Sequence, residues 1–266
     1  MSLNDVLKAL SADIDAVADL VADLDDDAWY TETPATGWNI ADQIAHLTFI
    51  FTLAKTAAAA PEQFKAITAS AADDFDGAVH AALKQFNGFP PKELLARFRA
   101  EGEASVEALA AVPEGSVVPW LVNPLPPVVL ACAGIMELFG HGQDIADALK
   151  VRRRPTDRLI HLVNFAFLTQ SFGYESHGLP APSENLRFEL TGPNGERWNI
   201  GAEDATQIIT GPAHDFCLLV TRRRHRADLG LSATGEQADQ WLDIAQAYRG
   251  PAGEGRRPGQ FEDTQW

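Results

Sequence analysis

The chemistry of this chain is written most plainly in Ile135–Leu149, IMELFGHGQDIADAL. On a helix Glu137, His141 and Asp144 fall at i, i+4 and i+7, so all three project from one face while Leu138 and Phe139 turn toward a core. A carboxylate and an imidazole one turn apart can reach the same ion. They make a metal site once a third ligand arrives from another element. His46, in GWNIADQIAHL, is the best candidate for that ligand. Glu137 stands among Ile135, Met136, Leu138 and Phe139, where a carboxylate must face a cavity, a metal or a cationic partner. The same residues also admit a simple Glu137–His141 pair on a helix edge, backed by Arg152 to Arg154, with both histidines structural. Asp144, one turn beyond His141, can orient that imidazole or a bound water, or be a plain surface aspartate. Asp42, one turn before His46, invites the same reading.

These side chains need helices to carry them. Val6, Leu10, Ile14, Val17, Leu20, Val21 and Leu24 repeat at helical spacing over residues 3–24. Asp25 to Asp27 end that helix, TETPATGW is a loop, and Asn39 caps a second helix with Ile40, Ile44, Leu47 and Phe51 as its core stripe. Pro61 closes or interrupts it. A third, alanine-rich helix is expected over 62–84, and a fourth with Leu94, Phe98 and Leu109 inward after Pro91. The loop EGSVVPWLVNPLPP is unusually apolar and reads as packing over something, a lid on a pocket being one form of that. The Glu137 helix follows, then the basic break Arg152 to Asp157, then an apolar helix over 159–174.

ESHGLPAPSEN has the texture of a linker, and beyond it the period changes. LRFELTG and RWNIG alternate around the turn GPNGE, and ATQIITG reads as a third strand. A helix opens at Pro212, and a last amphipathic helix carries Trp241, Ile244 and Tyr248 on its apolar face. The organisation is a helical bundle, residues 1–175, followed by a small α+β domain, 184–250, and a glycine- and proline-rich tail, 251–266, expected to be disordered.

Composition sets outer limits. A net charge of -16 argues against nucleic acid or an anionic membrane surface as partner. No apolar run approaches the ~20 residues of a membrane span, and the N-terminus lacks the order of a signal peptide, so a cytoplasmic protein is expected. Cys132 and Cys217 sit in apolar settings and read as small buried hydrophobes. In this acidic chain the run Arg222–Arg224, with His225 and Arg226, is either a cationic cap on a helix C-terminus or an anchor for carboxylates.

GWNIADQIAHL near the start and MELFGHGQDIADAL some ninety residues later together resemble the DinB-like, mycothiol-dependent maleylpyruvate isomerase family. The resemblance implies an antiparallel bundle whose metal ligands are His46, Glu137 and His141, and it extends to Trp38 ahead of the first histidine. It also implies a second domain similar to sterol-carrier folds, seen best in GPAHDFCLLVTRRR, with an arginine at the active site. One of Arg222, Arg223 and Arg224 is taken for that arginine, and Arg222, nearest the helix end, is the choice among them as a catalytic and cofactor-binding residue. Two imidazoles and a carboxylate with an open fourth position favour zinc, with nickel or another divalent metal as the alternative.

The expected activity is that of a zinc enzyme using a low-molecular-weight thiol such as mycothiol. It would be an isomerase or thiol transferase acting on a small anionic electrophile, with Asp144 and Arg222 in catalysis. Two other classes stay open. One is a metal-dependent hydrolase of an amide or ester, and the other a non-catalytic lipid or acyl carrier. G-x-S-x-G, Walker, Rossmann and C-x-x-C signatures do not occur.

Overall fold

A computed structural model describes residues 2–69, 77, 81, 83–86, 88–121, 123–180, 182, 184 and 186–261. Among them the chain forms nine α-helices and one four-stranded sheet, in two compact units, Met1–Val151 and Arg152–Trp266.

The first unit is the helical bundle: α1 (Leu3–Val21), α2 (Ile40–Ala59), α3 (Pro61–Ala69), α4 (Pro91–Ala110) and α5 (Pro127–Leu149). Local signals set the boundaries. The Ser2 side chain accepts from the Asp5 amide at the start of α1. Asn39 and Asp42 form a reciprocal capping box at the start of α2. Pro91 and Pro127 occupy the first turns of α4 and α5, where a missing N–H costs nothing. Lys150, at φ 56, closes α5 in the left-handed region.

The apolar stripe of α1 is buried against α4 and α5, and α2 packs on the same pair. Two glycines allow the close approach. A Cβ on Gly102 would lie 3.0 Å from Ile14, and one on Gly134 would lie 3.1 Å from Leu10. Phe51 of α2 meets Phe98 of α4 at a centroid distance of 6.0 Å. Each such fully buried ring contributes about 1.5–3 kcal/mol. The expected third helix is present over Pro61–Ala69, while 70–76, 78–80 and 82 lie outside the described residues, the acidic cluster Asp73–Asp76 with them. The apolar loop does pack: Trp120 stacks on Phe64, and Val118 pairs with Leu125 in a β-bridge. It borders a groove lined by Ala57, Pro61, Ala111, Val117 and Pro119, a lining that includes neither histidine nor Glu137.

The second unit holds α6 (Leu159–Leu168), α7 (Ser171–Ser176), β1 (Arg187–Thr191), β2 (Arg197–Ile200), β3 (Ile208–Pro212), α8 (Ala213–Val220), β4 (Ser232–Thr234) and α9 (Glu236–Ile244). The sheet order is β2-β1-β3-β4, with β1 and β3 parallel and the outer pairings antiparallel. Gly195, at φ 88, turns the β1–β2 hairpin through a conformation that a side chain would strain. Phe188, Phe216 and Trp241 gather in the core, at centroid distances of 4.7 to 5.9 Å.

Three expectations shift here. The division falls at Val151, not near residue 175, because the 159–176 helices belong to the sheet. Phe167 meets Phe188 edge-on, Trp241 donates to the Gln170 carbonyl at 3.0 Å, and the Leu186 amide donates to Gln170 Oε1. The segment read as a linker therefore lies inside the second unit. The last helix stops at Ile244, which leaves Tyr248 beyond it. Residues 250–261, expected to be disordered, make defined contacts. The Gly259 amide donates to Asp228 at 2.9 Å, and the Arg224 guanidinium sits 3.8 Å over the Phe261 ring. Residues 262–266 lie outside the described residues. Strand β4, three residues long, has no clear alternation to announce it.

No described helix is long and apolar enough to cross a membrane.

Candidate metal centre

The site forms where α2 crosses α5. Ile40, Ile44, Leu47 and Phe51 commit one stripe of α2 to the core at 0 to 2% exposure, which leaves His46 on the adjoining edge. On α5, Leu138, Ile145 and Ala146 are buried, and Glu137 and His141 occupy the edge that meets α2.

His46 Nε2 lies 3.5 Å, and His141 Nε2 3.1 Å, from the same Glu137 oxygen. One ligand atom from each residue falls within 4.8 Å of the others, and the two ring centroids are 4.5 Å apart. Ligand atoms around a tetrahedral ion with bonds of ~2.0–2.1 Å are about 3.3 Å from one another, close to the first two spacings. A helix-edge ion pair requires one imidazole. Here a second comes from a different helix onto the same oxygen, and the donor set fits a divalent ion. Burial works against ionisation of Glu137, but hydrogen bonds and charge from His141 and His46 outweigh it. They hold the carboxyl well below the usual carboxylate range, so it is an anion at neutral pH.

Around these three atoms the surroundings are specific. His141 Nδ1 lies 2.5 Å from Gln43 Oε1. Gln43 Nε2 donates to Thr33 Oγ1 at 2.9 Å, and that hydroxyl donates to the Trp38 carbonyl at 2.8 Å. The Trp38 indole stacks on His141, with centroids 5.9 Å apart and planes at 20°, and meets the His46 ring edge-on at 5.3 Å. His46 Nδ1 is buried with no hydrogen-bond partner. Gln43 was not singled out from sequence, although a signal existed. It falls on the apolar stripe beside Ile40, Ile44 and Leu47, where a polar side chain must have a buried partner.

Asp144 is fully buried on the turn after His141, which removes the surface reading, and the acceptor facing His141 Nδ1 is Gln43. Asp42 is committed to the capping box, its carboxylate accepting from the Asn39 amide at 3.0 Å. Gln143 donates to Asp147 at 2.9 Å.

Arg222 belongs to the second unit, directly after α8, and sits at φ 58, a strained setting for a residue with a side chain. Its Nε is buried without a hydrogen-bond partner, whereas Arg223 and Arg224 donate to carbonyls and Arg226 holds Asp239 and Asp243. Neither cysteine is an activated nucleophile. Burial pushes the Cys132 thiol up to about 12 and the Cys217 thiol well above its usual value.

Residues 10–146 match the family model described as the mycothiol maleylpyruvate isomerase N-terminal domain. Residues 182–231 match a model described as wyosine base formation, a different description from the sterol-carrier likeness expected there. Uncharacterized proteins from two strains of Mycobacterium tuberculosis are 41% identical over 250 residues, covering 94% of this chain and 96% of theirs. Among solved structures, mycothiol-dependent maleylpyruvate isomerase and a histidine-to-alanine mutant of it share the fold. The TM-score is 0.56 for both at 13% and 12% identity, over 82% of this chain and 88% of each of those.

Proposed function

The chain belongs to the mycothiol maleylpyruvate isomerase N-terminal domain family, and from that premise we propose a divalent-metal enzyme that uses a low-molecular-weight thiol such as mycothiol. It acts as an isomerase or thiol transferase on a small anionic electrophile. The observation that carries the reading is the convergence of His46 and His141, from two helices, on one oxygen of Glu137. Zinc is the favoured ion for two imidazoles and a carboxylate, with nickel second. His46, Glu137 and His141 would hold the ion, which would supply a Lewis acid able to lower the pKa of a coordinated thiol.

The chain's own residues supply the rest. Glu137 provides the negative charge that holds a dication, and its low pKa keeps that charge through mild acid. Trp38 lies against both imidazole rings and keeps water from that side. Asp144, buried one turn from His141, is the candidate for holding a proton near the reacting thiol. Arg222 is the candidate anchor for a carboxylate of the substrate or the thiol, which a guanidinium holds through its planar fork. The buried cysteine side chains, not joined in a disulfide, fit a reducing compartment.

The test is turnover of maleylpyruvate followed spectrophotometrically, with mycothiol and metal supplied or withheld singly. Activity that needs both and disappears in His141→Ala is the expected result. Turnover of maleylpyruvate that is indifferent to the thiol or to the metal overturns the reading.

A further inference from the structure

Resting on the metal reading for its affinity readout though not for its tautomer readout, we infer that Gln43, anchored by Thr33, is a positioning residue. It fixes the tautomer and plane of the His141 ring. Four groups form a chain along which each proton has one place. The Trp38 carbonyl can only accept, so the Thr33 hydroxyl, 2.8 Å away, spends its single proton there. What the hydroxyl then offers Gln43, at 2.9 Å, is a lone pair, so the amide nitrogen must face Thr33. That turns the amide oxygen to His141 Nδ1, at 2.5 Å. An amide oxygen accepts, so Nδ1 carries the hydrogen, and in a neutral ring the lone pair belongs to Nε2.

Nε2 faces Glu137 Oε2 at 3.1 Å. Nε2 there binds either a proton shared with that carboxylate or a metal ion that takes the proton's place. The relay therefore presets His141 as a ligand before any ion arrives. The Trp38 indole, stacked at 20° to the ring, holds its plane. The strap 31–39 thus does two jobs: its carbonyl starts the relay and its indole ends on the imidazole. The Thr33 amide and hydroxyl both bond the Trp38 carbonyl, and Glu32 bridges to Asn39, which ties the strap to the cap of α2. Gln43 and Thr33 are both buried, as a relay with no water to compete requires.

The experiment reads the ring and the metal separately. Nitrogen-15 NMR on metal-free protein with labelled histidine, at pH 9, gives the tautomer, and competition with a chromophoric zinc chelator gives affinity. Wild type should show His141 protonated at Nδ1. In Gln43→Leu the Glu137 carboxylate draws the proton to Nε2, and zinc affinity falls about 10–100-fold, as for other partners behind a metal-bound histidine. Gln43→Glu keeps an acceptor for Nδ1 and should restore both readouts, which a purely space-filling glutamine would not require. Should Gln43→Leu fail to fold, Thr33→Val frees the amide to turn over and should show the same tautomer change in part.

A wild-type His141 protonated at Nε2, or unchanged zinc affinity in folded Gln43→Leu, overturns the inference. Wild type that shows the Nδ1 tautomer yet binds no metal leaves the positioning role standing and removes the metal reading instead.

Discussion

His46 and His141 reach one carboxylate oxygen out of opposite surroundings. His141 is half-buried and tied at Nδ1 into a relay that ends on a backbone carbonyl. His46 is 8% exposed, and its Nδ1 is buried with no partner, so packing against Trp38 and the helix itself hold its ring. Both rings meet Trp38 and Glu137, but at Nδ1 one has a hydrogen-bond partner and the other has packing alone. Two imidazoles around one carboxylate are thus held by unequal means, and the two halves of the candidate centre should respond differently to the same kind of damage.

The largest expected effect ignores that difference. His46→Ala and His141→Ala each remove a donor atom, and both should lose stoichiometric metal by elemental analysis while retaining their helical circular dichroism. Metal retained in both variants rejects the assignment. The difference emerges one layer out. Thr33→Val should weaken zinc binding by no more than about tenfold, with the His141 resonances moved and those of His46 in place. Equal movement of both rings would mean the relay is not selective.

Smaller still is the cap that sets the His46 helix. Asn39→Ala should cost about 1 kcal/mol in urea unfolding, and a neutral result would mean that packing alone starts α2. A last test concerns Cys132, on the Glu137 helix. Its folded pKa of about 12 exceeds the ordinary 9.0. The contribution to stability is therefore full below 9.0 and lost as pH rises through the folded value. Iodoacetamide at pH 8 should leave the native thiol unmodified and label it in urea. Rapid native labelling would show that α5 opens.

How far the sequence spoke depended on the length of the signal. The long helices announced themselves through stripes such as Ile40–Ile44–Leu47–Phe51, and the spacing of Glu137 and His141 was enough to place both side chains on one helix face. Their meeting with His46 is long-range, and it was reached through family resemblance as much as through spacing. Gln43 went unread because a glutamine on an apolar stripe names no partner until the fold supplies Thr33 and His141. The boundary at Val151 went unread for the same reason. Phe167 and Gln170 look like more bundle until Phe188 and Trp241 are beside them. The tail was misjudged on composition, since one arginine–aromatic contact and a few backbone bonds suffice to hold it.

The central claim is that His46, Glu137 and His141 hold a divalent ion, and metal content tests it most directly. Wild type and Glu137→Ala, purified without added metal, should differ by about one zinc or nickel per chain, the expectation for a site with one carboxylate and two imidazoles. An undiminished metal content in Glu137→Ala, or a wild type that takes up none even on reconstitution, would contradict the account.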